Sequence, residues 1–183
     1  MTIETARLRL VPYSPGHHLA LIEGEARFAE CFGLLAADGL RAFIVSDDVS
    51  PAWLARLRAS TEADPWLHGF AVVHPERRCV IGNLGFKGPP DGDGLVELAY
   101  GIAPGFQGRG YATEAARAAV AFAFDHDGVR LVRAHTLPVP NASGRVLTKC
   151  GFTHVGEVVD PDDGPVWRWD HPPRTGAHAT AGG

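Results

Sequence analysis

The chain has 183 residues, a formal net charge of −4, and 45% hydrophobic and 21% charged residues. These values are typical of a soluble globular protein whose length suits one domain with a core that needs no disulfides. No apolar run approaches the roughly 20 residues of a membrane span, and no Lys/Arg cluster forms the basic stripe of a nucleic-acid-binding protein. The N-terminus lacks the basic and apolar regions of a signal peptide, so we expect a cytoplasmic protein with neither a membrane nor a nucleic acid as partner.

The cysteine and histidine residues show no metal-binding or disulfide pattern. Cys31, Cys79 and Cys150 are far apart and form no CxxC pair, which argues against a zinc site or a disulfide framework. The nine histidines show no HxxxH or HExxH spacing, so we expect no metal ion. A cysteine nucleophile is also disfavoured, because Cys150 falls at the predicted C-terminus of a helix, where the dipole opposes a thiolate.

The N-terminal part of the chain predicts one strand followed by helices. Residues 6–12 alternate small or apolar with basic side chains, as a half-buried first strand does. Helical material is expected over residues 15–58. Within it, Ser50 followed by Pro51 is typical of an N-cap with proline at the first helical position.

A three-stranded meander is expected next. Phe70–Val73 and Cys79–Phe86 are short apolar runs joined by the polar residues 74–78, so they predict a hairpin. A turn rich in Pro, Gly and Asp over residues 89–94 leads into a third apolar run, Leu95–Ile102.

A β-α-β unit follows the meander. Residues 111–125 are rich in alanine, the best helix former, and their small and apolar side chains recur at helical spacing. Leu131–Thr136 is again strand-like. Because a helix joins this run to the strand at 95–102, the two strands are expected to run parallel through a right-handed crossover.

The last elements are a short helix and a hairpin. Asn141 stands at the N-cap of the helix Ala142–Cys150, which ends at Gly151, the residue type favoured for a left-handed C-cap. Two strands are expected at residues 152–159 and 166–170, on either side of a turn rich in Asp and Gly.

The chain is expected to form a single domain. Strands and helices are mixed along residues 1–170, which predicts the α+β class, with a β-α-β unit at its centre. Pro, Gly, Ala and Thr dominate residues 171–183, so a disordered C-terminal tail is predicted there.

The loop before the alanine-rich helix predicts a phosphate site. It contains Gly105, Gly108 and Gly110, which allow tight turns and present successive backbone N–H groups. The following helix places its positive dipole end at the same point, and Arg109 adds a charge. The alternative is an ordinary strand-to-helix turn, with glycines for geometry only.

Two other phosphate motifs fit this loop less well. A P-loop ends in Lys followed by Ser or Thr, which the loop lacks. A dinucleotide-binding fingerprint needs a glycine where Thr113 stands, and an acidic residue at the end of a second strand. Neither Asp125 nor Asp127 lies at such a position.

At this loop the sequence resembles the GNAT superfamily of acetyl-CoA-dependent N-acetyltransferases. The coenzyme motif of that family, Gln/Arg-x-x-Gly-x-Gly/Ala, matches Gln107 through Ala112 in full. The resemblance extends over residues 3–170. The segments similar to the RimJ/RimL-type branch, the ribosomal-protein N-terminal acetyltransferases, are residues 5–10, 107–115, 141–143 and 147–152.

The resemblance implies a strongly twisted mixed sheet of about seven strands flanked by helices. Two central parallel strands would splay apart around the pantetheine arm of acetyl-CoA, which would bond the backbone of Gly101 and Ile102 and the side chain of Asn141. The residues implied to hold the pyrophosphate are Gln107, Gly108, Arg109, Gly110, Tyr111 and Ala112.

Glu97 is the candidate general base for attack by an amine. It stands close to the position of the catalytic glutamate in some family members. Desolvation in an apolar strand would raise the pKa of such a carboxyl, which suits proton acceptance near neutral pH. The alternative is a sheet-face glutamate paired with an arginine such as Arg133.

Ser143 is the candidate proton donor to the departing thiolate. Many relatives outside the RimJ/RimL-type branch have a tyrosine near this position, and this helix has none. The alternative is a serine that bonds a backbone group in the first turn of the helix. The backbone N–H of Gly101 or Ile102 would polarise the thioester carbonyl, as an oxyanion hole does.

The resemblance implies transfer of the acetyl group of acetyl-CoA to an amine, by a monomer or a homodimer. The acceptor is expected to be a protein N-terminus or a small molecule, bound by residues 15–68 and the loop 88–94, where Trp66 could line a groove. The alternative is a catalytically inactive acyl-CoA-binding sensor or interaction module, which would need the loop but neither Glu97 nor Ser143.

Overall fold

The computed structural model describes residues 1–45, 51–161 and 163–173. These residues form a mixed sheet flanked by helices. The strands are β1 (Ile3–Glu4), β2 (Arg9–Pro12), β3 (Leu35–Ala36), β4 (Phe70–His74), β5 (Cys79–Phe86), β6 (Leu95–Ile102), β7 (Leu131–Thr136), β8 (Thr153–Asp160) and β9 (Gly164–His171). The helices are α1 (Pro15–Glu23), α2 (Glu25–Phe32), α3 (Leu40–Ile44), α4 (Pro51–Ala59), α5 (Pro65–His68), α6 (Tyr111–Phe124) and α7 (Ala142–Cys150), with a 3₁₀ turn at Pro104–Phe106.

The sheet has the strand order β1-β2-β4-β5-β6-β7-β9-β8, and β3 pairs with β5. Among the described strands, neighbours are antiparallel except at two pairs, β3–β5 and β6–β7. Helix α6 connects β6 to β7, which confirms the predicted parallel β-α-β unit. The meander β4-β5-β6 lies on one side of this unit and the hairpin β8-β9 on the other.

The two central strands pair over only part of their length. The register joins Leu95 to Leu131, Val96 to Val132 and Glu97 to Arg133, and it ends there. Strand β6 continues to Ile102 and remains paired with β5 on its other side. The predicted splay of the central parallel strands is therefore confirmed, and it begins immediately after Glu97.

Helix α6 packs on the sheet through small residues. Ala115, Ala116, Ala119 and Ala123 are buried, and their short side chains let the helix lie close to the strands. Phe122 fills the remaining space, with its ring 5.3 Å from that of Phe70 and 6.1 Å from that of Phe86. The helix is thus held in place by an aromatic cluster at its C-terminal end, while its N-terminus faces the splayed strands.

Most predicted elements lie close to the expected bounds, and the larger differences lie near the two ends of the chain. The last strand covers Gly164–His171 instead of residues 166–170, so the prediction that His171 belongs to a disordered tail is wrong: it pairs with Val132 of β7. The strand predicted at residues 6–12 begins at Arg9 and is preceded by the short strand β1, because Thr5 and Leu8 close a turn between them through a backbone hydrogen bond of 2.9 Å. The stretch expected to be helical also contains the short strand β3. The predicted N-cap Ser50 and residues 174–183 of the predicted tail lie outside the described residues. None of the described helices is long and apolar enough to cross a membrane.

The contact between β5 and β6 leaves no room for a side chain at Gly82. A Cβ atom there would collide with the carbonyl oxygen of Gly101 and lie 2.6 Å from Cδ1 of Ile102. We therefore expect Gly82→Ala to lower the free energy of unfolding by about 1–3 kcal/mol. Thermal unfolding would show this as a fall in Tm of about 2–4 °C per kcal/mol. Gly92→Ala is the control, since a Cβ atom at Gly92 would meet nothing within 4 Å; equal Tm values for both variants would contradict the prediction.

Candidate functional site

A cleft of about 360 Å³ opens beside the free end of β6. We call it the β6–α7 cleft, since its walls come from the end of β6, the glycine-rich loop, the start of α6 and one face of α7. It brings together most of the predicted coenzyme residues and one predicted catalytic residue: Gly101, Ile102, Gln107, Gly108, Gly110, Tyr111, Ala112 and Ser143.

The glycine-rich loop has the backbone geometry of an anion site. Gly108 and Gly110 have φ angles of 74° and 81°, in the left-handed region that favours glycine. Helix α6 begins at Tyr111, directly after Gly110. Its unpaired N–H groups and positive dipole end therefore border the cleft, where they can bind a phosphate.

The structure gives three predicted coenzyme residues additional contacts within the chain. Gln107 donates from Nε2 to the Ile102 carbonyl at 2.8 Å, which fastens the loop to the end of β6. The Arg109 guanidinium lies 5.9 Å from the centroid of the Phe106 ring, and Arg109 does not line the cleft. Asn141 caps α7 by accepting from Gly144 N–H at 2.9 Å, and it also lies outside the cleft lining. Their contacts with the coenzyme stay predictions.

The cleft also contains a tyrosine that the sequence analysis missed. The Tyr100 hydroxyl lies 3.0 Å from the Ser143 hydroxyl and donates to the Ser143 carbonyl at 3.2 Å. Burial raises the pKa of Tyr100 to about 12, so its hydroxyl keeps its proton at neutral pH. Ser143 thus meets a tyrosine from the neighbouring strand instead of one from its own helix. Side chains alternate between the two faces of β6, which predicts that Tyr100 lies on the face opposite Glu97. This alternation was the sequence signal for Tyr100.

Glu97 lies at the point where β6 and β7 separate. Its Oε1 atom accepts from Lys87 Nζ at 2.6 Å and lies 3.0 Å from His135 Nδ1, and its side chain is 18% exposed. The alternative partner Arg133 instead forms an ion pair with Asp170 at 2.8 Å. The alternative that Glu97 pairs with Arg133 is therefore wrong. Lys87 and His135 are the neighbours of the Glu97 carboxylate instead.

The ion pair with Glu97 keeps Lys87 charged. Burial alone would lower the pKa of Lys87, but the hydrogen bond to Glu97 and the negative charges of Glu97, Asp160 and Asp163 raise it. The Lys87 side chain is therefore an ammonium at neutral pH, and its Nζ atom lies 2.6 Å from Oε1 of Glu97. No local sequence pattern indicates this contact, because it depends on the register of β5 and β6.

A second cleft, of about 470 Å³, lies next to Lys87. We call it the α5 cleft. It is lined by Arg56, Leu57, Ser60, Trp66, Leu67, His68, Phe86, Lys87, Gly88 and Pro89. Trp66 packs its ring 4.8 Å from that of Phe86, so the predicted position of Trp66 in a groove agrees with the structure. Because Lys87 contacts Glu97, the α5 cleft and the Glu97 carboxylate are neighbours.

Two basic residues complete the β6–α7 cleft. Arg145 and Lys149 are four residues apart on α7, so they lie on one face of the helix, and both line the cleft. They give the cleft two positive charges opposite the glycine-rich loop. Arg145 and Lys149 were not predicted as site residues, although their spacing on a predicted helix was the available signal.

Known proteins share this fold and this sequence pattern. Residues 7–153 match the family model described as "Acetyltransferase (GNAT) domain". The FsC-acetyl coenzyme A-N(2)-transacetylase of Aspergillus fumigatus is 38% identical over 70 residues, which is 38% of this chain and 30% of that protein. The chain therefore matches less than a third of the length of this curated relative.

Two solved acetyltransferase structures, whose names give different acceptors, have the same fold as this chain. The ribosomal-protein-S5-alanine acetyltransferase of Vibrio fischeri aligns with a TM-score of 0.66 at 16% identity, over 96% of this chain and 98% of that one. AAC(6')-Ib in complex with ribostamycin and coenzyme A aligns with a TM-score of 0.61 at 20% identity, over 94% of this chain and 99% of that one. At these identities the likeness concerns the fold.

The left-handed conformation of Gly110 provides a test of the loop. Alanine costs about 1–2 kcal/mol in this conformation, so Gly110→Ala reduces the population of loops that can bind a phosphate. We expect the Kd for acetyl-CoA, measured by calorimetry, to rise about tenfold. Gly105→Ala is the matched control, because Gly105 has no positive φ and nothing within 4 Å of a Cβ. Unchanged affinity in Gly110→Ala would show that the loop does not hold the ligand.

Proposed function

The chain belongs to the GNAT acetyltransferase family, and from this premise we propose that it transfers the acetyl group of acetyl-CoA directly to a primary amine. The observation that carries the proposal is the splay of β6 and β7 after Glu97. It leaves one end of β6 beside a cleft with an anion-binding loop, and it leaves a carboxylate where the strands separate. A donor and an acceptor can therefore meet at β6 in a ternary complex.

We assign the β6–α7 cleft to acetyl-CoA. The N–H groups from Gly108 to Ala112 would hold the diphosphate, helped by the start of α6. The pantetheine arm would run along the edge of β6 and bond the backbone of Gly101 and Ile102. Arg145 and Lys149 line the same cleft, and their charges would bind the remaining phosphate oxygens.

We assign the α5 cleft to the amine acceptor. Its volume lies within the range of about 300–1,000 Å³ that is typical of small-molecule sites. It would take either a small amine or the first residues of a peptide. The similar structures named above act on a ribosomal-protein alanine in one case and bind ribostamycin in the other, so the proposal covers both acceptor classes.

The reaction requires one nucleophilic attack and two proton transfers. The neutral amine attacks the thioester carbonyl carbon, and its new C–N bond gives a tetrahedral oxyanion, which a backbone N–H of Gly101 or Ile102 would stabilise. Glu97 accepts the proton that the nitrogen loses. The C–S bond then breaks, and the thiolate of coenzyme A takes a proton from the Tyr100–Ser143 pair. The products are the N-acetylated acceptor and coenzyme A.

The donor of that last proton is testable by two single substitutions. A phenol is a far stronger acid than a serine hydroxyl, so Tyr100→Phe should lower kcat by about 100-fold, with little change in the Kd for acetyl-CoA. Ser143→Ala should lower kcat less, because Tyr100 keeps its hydroxyl. Since burial raises the pKa of Tyr100 to about 12, kcat should not fall through loss of this proton below about pH 10. A kcat unchanged in both variants would remove the pair from the reaction.

Glu97→Gln tests the base and separates the acceptor classes. Glutamine keeps the shape of the side chain but cannot take a proton, so turnover should fall at pH 7 and partly recover by pH 9, where more amine is neutral. An α-amine has a pKa of about 7.7–8.0 and a lysine amine about 10.4. At pH 9 the first is mostly neutral and the second is still mostly charged. The turnover of Glu97→Gln at pH 9 should therefore come nearer to the wild-type value with a peptide N-terminus than with a lysine side chain. A uniform loss at every pH would instead mean that Glu97 positions the acceptor.

The proposed function is tested by release of free thiol from acetyl-CoA with a panel of small amines and N-terminal peptides. Turnover with any of these acceptors supports it. Tight coenzyme binding with no turnover across the panel would contradict it and favour the non-catalytic acyl-CoA-binding module.

A further inference from the structure

Resting on the proposed function, we propose that Arg7 is a positioning residue for the coenzyme loop. It would act in two ways: by orienting the peptide between Arg109 and Gly110, and by neutralising the Glu114 carboxylate in the first turn of α6. The short segment before β2 would then be a working part of the coenzyme site, although it lies more than 100 residues away in the sequence.

The contacts of Arg7 all converge on the loop and the start of α6. Its Nη1 donates to the Arg109 carbonyl at 3.0 Å. Its Nε and Nη2 lie 2.8 Å and 2.7 Å from Oε2 of Glu114. The guanidinium also lies 4.6 Å from the centroid of the Tyr111 ring, within the range of a cation–π contact. One side chain therefore touches three of the residues from 109 to 114.

The hydrogen bond to the Arg109 carbonyl fixes the direction of a neighbouring N–H group. In a planar trans peptide, the carbonyl of Arg109 and the N–H of Gly110 point in opposite directions. Because the carbonyl points at Arg7, the Gly110 N–H points away from it. Gly110 also borders the β6–α7 cleft, so Arg7 would hold this N–H ready for a phosphate oxygen. A glycine with a left-handed φ of 81° is otherwise free to leave that conformation.

The ion pair with Glu114 removes an unfavourable charge. Glu114 is held in place by Thr5 Oγ1 and by the backbone N–H of Arg7, each at 2.7 Å from its Oε1. Burial alone would raise the pKa of Glu114, but these hydrogen bonds and the charge of Arg7 lower it, so the carboxyl is ionised. A bare carboxylate in the first turn of α6 would repel a diphosphate bound at the same helix end, and the Arg7 guanidinium neutralises it.

The Tyr111 side chain is held by a second contact besides the one with Arg7. The Tyr111 hydroxyl lies 2.9 Å from His74 Nε2 of β4, and both groups are buried. The Tyr111 ring is thus held from β4 at its hydroxyl and from Arg7 at its face. Loss of Arg7 would leave the buried hydrogen bond intact, so the fold should survive while the loop loses its orientation.

The first experiment compares Arg7→Ala with Arg9→Ala by titration calorimetry with coenzyme A. Arg9 is the matched control, because it is a neighbouring exposed arginine whose ion-pair partner is Glu4 at 3.0 Å and not the loop. We expect the Kd for coenzyme A to rise at least about tenfold in Arg7→Ala, because binding must then orient the loop without the charge-assisted hydrogen bond that Arg7 donates to the Arg109 carbonyl. The kcat at saturating acetyl-CoA should stay near that of the wild type, since the contacts of Arg7 are with the loop and α6 rather than with Glu97 or Tyr100.

Two further variants separate the proposed effects from a merely structural ion pair. Arg7→Lys keeps the charge and should recover part of the affinity. In the double variant Arg7→Ala/Glu114→Gln the carboxylate is removed as well, so its Kd should be lower than that of Arg7→Ala alone. A structural role would instead lower Tm in Arg7→Ala and leave its Kd equal to that of Arg9→Ala, which would overturn the inference.

The failure of this inference and the failure of the proposed function give different results. If the wild type binds coenzyme A and Arg7→Ala binds it equally well, Arg7 does not position the loop, and the proposed function is unaffected. If the wild type itself does not bind coenzyme A, both proposals fall together.

Discussion

The short pairing between β6 and β7 is the constraint on which the rest of the structure depends. A parallel neighbour satisfies the edge of β6 only as far as Glu97, and the remaining residues to Ile102 have β5 on one side alone. Because α6 follows β6 after one short loop, its N-terminus lies close to this open edge, and residues of both elements line the same cleft. The cleft beside the glycine-rich loop and the position of Glu97 where the strands separate therefore both follow from one break in a ladder of backbone hydrogen bonds.

The alternation of side chains along β6 then divides the chemistry between two faces of the sheet. Tyr100 points toward α7 and meets Ser143, whereas Glu97 points the other way and meets Lys87 and His135. A strand places successive side chains on opposite faces, so one short segment presents the Tyr100 hydroxyl to the β6–α7 cleft and the Glu97 carboxylate to Lys87, which lines the α5 cleft. In the proposed reaction the amine must reach the thioester at the open edge of β6 beyond Glu97, where the two central strands separate.

The features that could be predicted from the sequence are those set by neighbouring residues. The loop at Gln107–Ala112, the strand Leu95–Ile102 and the helix cap at Asn141 depend on glycine geometry, alternation and capping within a few positions. The contacts that were missed or misassigned join distant elements. The pairing of Arg133 with Asp170 rather than Glu97, for example, depends on β9 lying beside β7, and no local pattern contains that information.

The three-residue seam between β6 and β7 also divides the sheet into two unequal halves. One half holds β1 to β6, and the other holds β7, β9 and β8. Apart from the seam, the halves are joined mainly by α6 and α7, which pack against each other. A ligand in the β6–α7 cleft would touch β6 in one half and α7, which packs against β7 and β8 of the other half, so it would bridge the seam. Cooperativity of unfolding should therefore depend on occupancy, since the filled cleft couples two subdomains that the backbone ladder joins over only one short stretch.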